Sequence, residues 1–270
     1  MVIPDYKKYL AVERLPHIWC AGCGNGVILK ALLLVLAELN FRPGEILLAT
    51  GIGCISRAGD YVSFQRFQGT HGRTLAFVTG LKVARPELKV ICLIGDGDCA
   101  AIGMGHLIHA ARRNLDVAVL VANNLNYGMT GGQFSPLTPN KSLTSTSRAG
   151  KNEASLDICR LAEVAGANYV ARTSVFYHGE LRKYIREAIS KTGFSLVEIL
   201  TSCPTYYGRY NKIGGPGEML TWFRDKTVPL KKYLQMDKQE QKDFFWRGKL
   251  VGRDAPNSYT YGKKNEEPDG

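Results

Sequence analysis

The chain has 270 residues, 45% of them hydrophobic, enough for one sizeable core in a single domain or a domain with an extension. No run reaches the roughly 18 apolar residues of a membrane span. The opening Met1-Val2-Ile3-Pro4-Asp5 lacks the basic stretch and apolar core of a secretory signal, so a cytoplasmic protein is expected. The formal charge of +11 suits an acidic partner protein, an acidic companion subunit, anionic substrates or simply a solvated basic surface. Its Lys and Arg are scattered without an aromatic-rich recognition motif, so neither nucleic acid nor a membrane is an expected partner.

In chain order, the pattern is that of an α/β fold: an open, mostly parallel sheet with helices on both faces. Asn25 is placed to cap a helix over 27–39, which ends before Pro43-Gly44. A strand over 46–49 runs into Gly51-Ile52-Gly53-Cys54. A helix from about 72 to 85 stops at Pro86, and a strand over 89–94 follows. Asp98 is placed to cap a helix over 99–113, whose final Arg112 and Arg113 suit the helix dipole. After a strand over 116–122, residues 123–152 are rich in Gly, Ser, Thr and Pro. That is well beyond the usual 12–15 residues for a loop, and it reads as a segment covering an active site. A helix over 156–165, a strand over 169–171, a helix over 179–191 and a strand over 195–200 complete the alternation. Residues 1–204 are thus the expected domain. Residues 205–270 are expected to form an arm packing on a partner subunit, with one helix near 218–224 and a disordered tip after about Asp254.

The stretch over 89–133 carries the most chemistry. It reads buried strand, Gly95-Asp96-Gly97-Asp98, helix, buried strand, Asn123-Asn124. A carboxylate ending one strand and an amide ending the next can jointly hold Mg²⁺, which prefers oxygen ligands and completes its shell with phosphate and water. The glycines leave room for a diphosphate to approach the backbone. Two ordinary polar turns of an α/β domain are the alternative.

Seven cysteines without an export signal point to metal or redox use rather than disulfides. Cys92 in an apolar strand, Cys159 in an amphipathic helix and Cys99 at a helix start read as packing thiols. Cys20 and Cys23 lie in Trp19-Cys20-Ala21-Gly22-Cys23-Gly24 before the first helix, while Cys54 and Cys203 each follow a strand. Sheet topology can gather such element ends, and four thiolates suit structural zinc or an iron–sulfur cluster. A thioredoxin-type reading of Cys20 and Cys23 leaves Cys54 and Cys203 without a role. A dinucleotide-binding reading of Gly51-Ile52-Gly53 lacks the following helix and the acidic residue about 20 positions on.

Cys-Ala-Gly-Cys-Gly at 20–24, Gly-Ile-Gly-Cys at 51–54, Thr70-His71-Gly72-Arg73, the Gly95 to Asn124 segment, Tyr127-Gly128-Met129-Thr130-Gly131-Gly132-Gln133 and the late Cys203 occur in one order. Together they closely resemble the beta subunit of 2-oxoacid:ferredoxin oxidoreductases over roughly residues 15–210. The wording at 103–114 and 127–133 is most similar to the 2-oxoglutarate branch.

The resemblance implies thiamine diphosphate, Mg²⁺ and a [4Fe–4S] cluster as cofactors. The implied Mg²⁺ ligands are the side chains of Asp96 and Asn124 and the carbonyl of Asn126. The implied cluster ligands are Cys20, Cys23, Cys54 and Cys203. Gly24, Ile52, Gly53, Cys54, Ser56, His71, Gly95, Gly97, Asp98, Tyr127, Gly128, Met129 and Thr130 would surround the thiamine, with His71, Arg73 and Thr130 in the reaction. The implied activity is oxidative decarboxylation of a 2-oxoacid, best 2-oxoglutarate to succinyl-CoA and CO₂. Electrons would pass singly through the cluster to ferredoxin. Implied partners are an alpha subunit, ferredoxin, coenzyme A and the 2-oxoacid, and the chain alone should be inactive. Where some members carry Lys in the 127–133 loop, this chain has Gly131. Another cation must then meet a distal carboxylate, with Arg57, Arg66 or a partner residue as candidates. Pyruvate or a branched 2-oxoacid therefore stays open as substrate, as does a non-catalytic zinc or thiol scaffold.

Overall fold

The computed structural model describes residues 5–256. Along β3 (Lys89–Gly95), Val90, Cys92 and Ile94 face one apolar layer while Ile91 and Leu93 face the other. β4 (Ala118–Asn123) alternates likewise, with every residue buried. Strands buried on both faces require helices on both sides. α1 (Asn25–Glu38) and α5 (His178–Ser190) cover one face, and α2 (Thr74–Ala84), α3 (Met104–Arg112) and α4 (Ile158–Ala165) cover the other.

With β1 (Ile46–Thr50), β2 (Gln65–Gln68), β5 (Tyr169–Ser174), β6 (Ser195–Leu200), β7 (Thr227–Pro229) and β8 (Phe245–Gly252), the strands form one sheet in the order β2-β1-β3-β4-β6-β5-β8-β7. The pairs from β2 to β5 are parallel, and β8 runs antiparallel to β5. From β1 the chain adds β2 on one side and β3 on the other. The crevice beyond the carboxyl ends of β1 and β3 is thus the topological switch point, where such sheets bind ligands. No helix among the described residues is long and apolar enough to cross a membrane.

Three expectations are corrected. Gly24, not Asn25, holds the cap position of α1, and Asn25 lies buried inside the first turn. Asp98 does not cap α3. It begins a π-helical turn, Asp98–Ile102, and its carboxylate is used elsewhere. Residues after 204, expected to form an arm, are built into the sheet over part of their length. Following α6 (Pro216–Lys226), β7 and the short α7 (Leu230–Tyr233), β8 joins the sheet and buries Trp246 in the core. The expected disordered tip lies, apart from residues 254–256, outside the described residues.

Trp246 stacks under the Arg172 guanidinium at 4.2 Å, and its indole N–H donates to Asp157 Oδ2 at 3.2 Å. Trp246→Ala should therefore destabilise the fold by about 3–5 kcal/mol and release β8. Urea unfolding with limited proteolysis checks this; unchanged stability would contradict the strand's place in the core.

Candidate cofactor site

The switch-point crevice holds a cavity of ≈ 70 Å³. It is lined by Ile52, Gly53 and Cys54 after β1, His71 before α2, Gly95, Asp96, Gly97 and Asp98 after β3, and Asn124, Asn126, Tyr127, Gly128, Met129 and Thr130 after β4. Parallel strands ending at one sheet edge bring these separated segments together. Close packing there depends on small residues. A Cβ on Gly97 would lie 2.0 Å from the Tyr127 ring, and one on Gly51 would lie 1.8 Å from Asp98 Oδ2.

Three oxygens converge in this cavity. The Asn124 amide presents a polar atom 3.1 Å from Asp96 Oδ1 and 2.6 Å from the Asn126 carbonyl oxygen. Set as oxygen, that atom faces only acceptors, which is unfavourable unless a cation lies among them or the amide turns over. Mg²⁺ with bonds near 2.0–2.1 Å sets adjacent ligand oxygens about 2.9 Å apart, so the set fits such an ion. Burial pushes the Asp96 carboxyl up to about 7, against a hydrogen bond from Ser135 Oγ to Oδ2 at 2.6 Å. The Asn25 side-chain nitrogen, which also lines the cavity, is buried without a partner and offers a donor to an anionic ligand.

His71 Nδ1 lies 2.8 Å from Asp98 Oδ1, and the Gly72 amide donates to the same oxygen. A carboxylate at Nδ1 favours the tautomer with its proton there, leaving Nε2 as the acceptor on a residue facing the cavity. Thr130 Oγ1 donates to Gln133 Oε1 at 2.7 Å. Arg73 lines neither this cavity nor its neighbour; it bonds the Ile102 carbonyl at 3.0 Å. Ser56 is buried in the 3₁₀ turn Ile55–Tyr61, outside both linings. Gly24 lines neither, but its backbone touches the loop after β6, where a Cβ would lie 2.1 Å from Thr201 Oγ1. Ile55, Ala122 and Ser135 were not singled out from the sequence, and Asn25 was read there only as a helix cap. Ser135 belongs to the long loop after β4 and ties that loop to Asp96.

The neighbouring cavity, ≈ 370 Å³, is lined by Cys20, Cys23, Cys54 and Cys203, together with Trp19, Arg57 and Tyr206. Hydrogen bonds fasten the three cysteine loops to each other. The Gly24 amide donates to Ser202 O at 3.2 Å, Ser202 Oγ to Gly22 O at 2.9 Å, and Trp19 Nε1 to Cys54 O at 2.6 Å. Burial pushes the Cys23 thiol up to about 12, and Cys203, Cys54 and Cys20 add in the same direction. The Cys54 thiol is pushed up to about 11, again mainly by burial. Such thiols give up protons when metal binds.

A lone zinc at about 2.3 Å from four sulfurs would hold them about 3.8 Å apart. Among the described residues, no three of these sulfurs lie within 4.8 Å of one another. Of the cations considered for substrate, Arg57 lines this cavity and pairs with Asp60 at 2.7 Å. Arg66 bonds the Gly59 carbonyl at 2.6 Å and lines neither cavity.

The Asp96 environment gives a pH test. Its folded-state pKa lies above the ordinary 3.8. Its contribution to ligand-free stability is therefore full below that value and is lost as pH rises through about 7. A bound divalent cation needs the carboxylate. Mg²⁺ should raise the melting temperature more at pH 8 than at pH 6; equal shifts would contradict the role of Asp96.

The family profile "Thiamine pyrophosphate enzyme, C-terminal TPP binding domain" matches residues 51–199. The 2-oxoglutarate synthase subunit KorB of Methanocaldococcus jannaschii is 43% identical over 233 residues, 86% of each chain. KorB of Archaeoglobus fulgidus is 47% identical over 202 residues, 75% of each chain. Among solved structures, the 2-oxoglutarate:ferredoxin oxidoreductase of Magnetococcus marinus, with 2-oxoglutarate, coenzyme A and succinyl-CoA bound, matches with TM-score 0.83 and 30% identity. That match covers 94% of this chain and 86% of the other. With a thiamine-binding profile across the switch-point crevice and identity above 40% along most of its length, the chain belongs to the KorB-type beta subunits of 2-oxoacid:ferredoxin oxidoreductases.

Proposed function

We propose that this chain, assembled with an alpha subunit, oxidatively decarboxylates 2-oxoglutarate to succinyl-CoA and CO₂ and passes two electrons, one at a time, to ferredoxin. One observation carries the reading: Cys54, Asn124, Gly128 and Met129 line both cavities, so the oxygen-lined and sulfur-lined chambers share a wall. The 2-oxoglutarate chemistry of the KorB relatives and of the Magnetococcus marinus enzyme supports the choice of substrate.

When bound, thiamine diphosphate supplies the carbon nucleophile that makes decarboxylation feasible, and a [4Fe–4S] cluster supplies one-electron transfer. The chain's own residues do the holding and orienting. Asp96, Asn124 and the Asn126 carbonyl would grip Mg²⁺, with Asn25 donating toward the diphosphate side. Cys20, Cys23, Cys54 and Cys203 would bind the cluster. His71, oriented by Asp98, would offer Nε2 to a proton or to substrate within the crevice. Ser135 and the loop that carries it would exclude water from above Asp96. In this reading the ligands of both cofactors lie within residues 1–204, and residues 205–270 would contribute surface that packs on the alpha subunit. The basic surface would favour encounter with an acidic ferredoxin.

The test is reduction of ferredoxin or a viologen dye that depends on both 2-oxoglutarate and coenzyme A. We expect none from this chain alone and turnover from the two-subunit complex, faster with 2-oxoglutarate than with pyruvate. Turnover by the single chain, or a preference for pyruvate, would overturn the assignment.

A further inference from the structure

A charged residue in the middle of a strand with no exposed position needs a reason. Glu198 is 2% exposed, in β6, between Val121 of β4 and Arg172 of β5. Its Oε2 accepts from Arg172 Nε at 2.6 Å and from the Cys159 thiol at 3.3 Å. Arg172 also reaches Asp157 at 2.7 Å, so the pair is embedded rather than isolated. Replacing such a buried pair with apolar residues is often neutral for stability, so stability alone does not explain its presence.

The remaining oxygen points elsewhere. Glu198 Oε1 accepts from Asn123 Nδ2 at 2.7 Å. A carboxylate can only accept, so it fixes which way the Asn123 amide faces. With nitrogen toward Glu198, Asn123 Oδ1 is left to accept from the Leu125 amide at 3.0 Å. Leu125 sits at φ +65°, a left-handed conformation that non-glycine residues adopt at a cost. That reversal turns the Asn124 amide and the Asn126 carbonyl toward one another beside Asp96. The Thr138 hydroxyl holds the Leu125 carbonyl at 2.7 Å, but among the described residues no other side chain accepts from the Leu125 amide.

We infer that Glu198 is a positioning residue for the cation site, acting through Asn123 to hold Leu125 left-handed so that the ligand oxygens of Asn124 and Asn126 converge. This rests on the cation reading of Asp96, Asn124 and Asn126 given above. Residues that orient metal ligands typically contribute 10–100-fold in metal affinity, although they never touch the ion.

A polarity swap tests this chain of hydrogen bonds. In Glu198→Gln, the Gln oxygen can keep Arg172 only if its NH₂ group faces Asn123. Asn123 must then turn its oxygen to that group, which leaves its own NH₂ against the Leu125 N–H. Adding Asn123→Asp restores an acceptor on both sides, with the same total charge as the natural pair. The measurement is Mn²⁺ binding in place of Mg²⁺ with thiamine diphosphate present. The full chain in its native assembly is used, and free Mn²⁺ is read by electron paramagnetic resonance.

Glu198→Gln should weaken Mn²⁺ binding by about 10-fold or more, and the double variant should recover most of it. Activity should show a raised metal requirement with kcat at saturating metal largely kept. Cys159→Ala, which leaves the Asn123 bond intact, should bind as the unaltered protein does. If Glu198→Gln does not fold, Asn123→Ala keeps the Arg172–Glu198 pair and carries the same expected loss. Affinity within twofold of the unaltered protein in the single variant, or no recovery in the swap, overturns the inference. Failure of the unaltered protein to bind Mn²⁺ would instead overturn the cation reading itself.

Discussion

Oxygen crowding at the sheet edge is the constraint around which this molecule is arranged. Asp96, Asn124 and the Asn126 carbonyl are drawn together in a setting that disfavours charge, and among the described residues no Lys or Arg lines their cavity. The fold supplies the means. β3 and β4 are adjacent and parallel, so both chains emerge at the same edge, and the left-handed Leu125 turns the second chain back toward the first. Desolvation raises the Asp96 carboxyl, and Glu198 adds in the same direction. A divalent ion would reverse that penalty, which converts a costly arrangement into a binding site.

The sulfur chamber follows from the same architecture. Cys54 extends from β1 and Cys203 from β6, while Cys20 and Cys23 precede α1. They meet because the loops are tied together through backbone groups, the Ser202 hydroxyl and the Trp19 indole rather than through the thiols themselves. The sulfurs are thus presented around a space already shaped by the fold. Under the proposed function, the wall shared with the oxygen chamber would give electrons a short way out, which suits oxidative rather than simple decarboxylation chemistry.

Much of this was legible in the sequence because the signals were local. Runs such as Val90-Ile91-Cys92-Leu93-Ile94 identify strands buried on both faces, and Gly95-Asp96-Gly97 with Asn123-Asn124 mark where they end at the crevice. What escaped was set by distant contacts. Asn25 looks like a cap, but Gly24 takes that place because the backbone must pass close to Thr201 and Ser202. Residues 245–252 carry charges and two glycines that hide a strand, and Trp246 is buried through partners far away in sequence, Arg172 and Asp157 among them. Ser135 is one hydroxyl in a polar loop, with nothing local to mark it. Glu198 and Arg172 did leave a trace, since a charge within a strand as apolar as 195–200 calls for a buried partner.

The most direct measurement is anomalous diffraction at the iron edge from crystals grown without oxygen, with Mg²⁺ and thiamine diphosphate added. The account predicts iron enclosed by Cys20, Cys23, Cys54 and Cys203, and a cation bridging Asp96 and Asn124 to the diphosphate. Zinc or nothing in the cysteine chamber, or Asp96 and Asn124 turned apart with the diphosphate bound elsewhere, would contradict it.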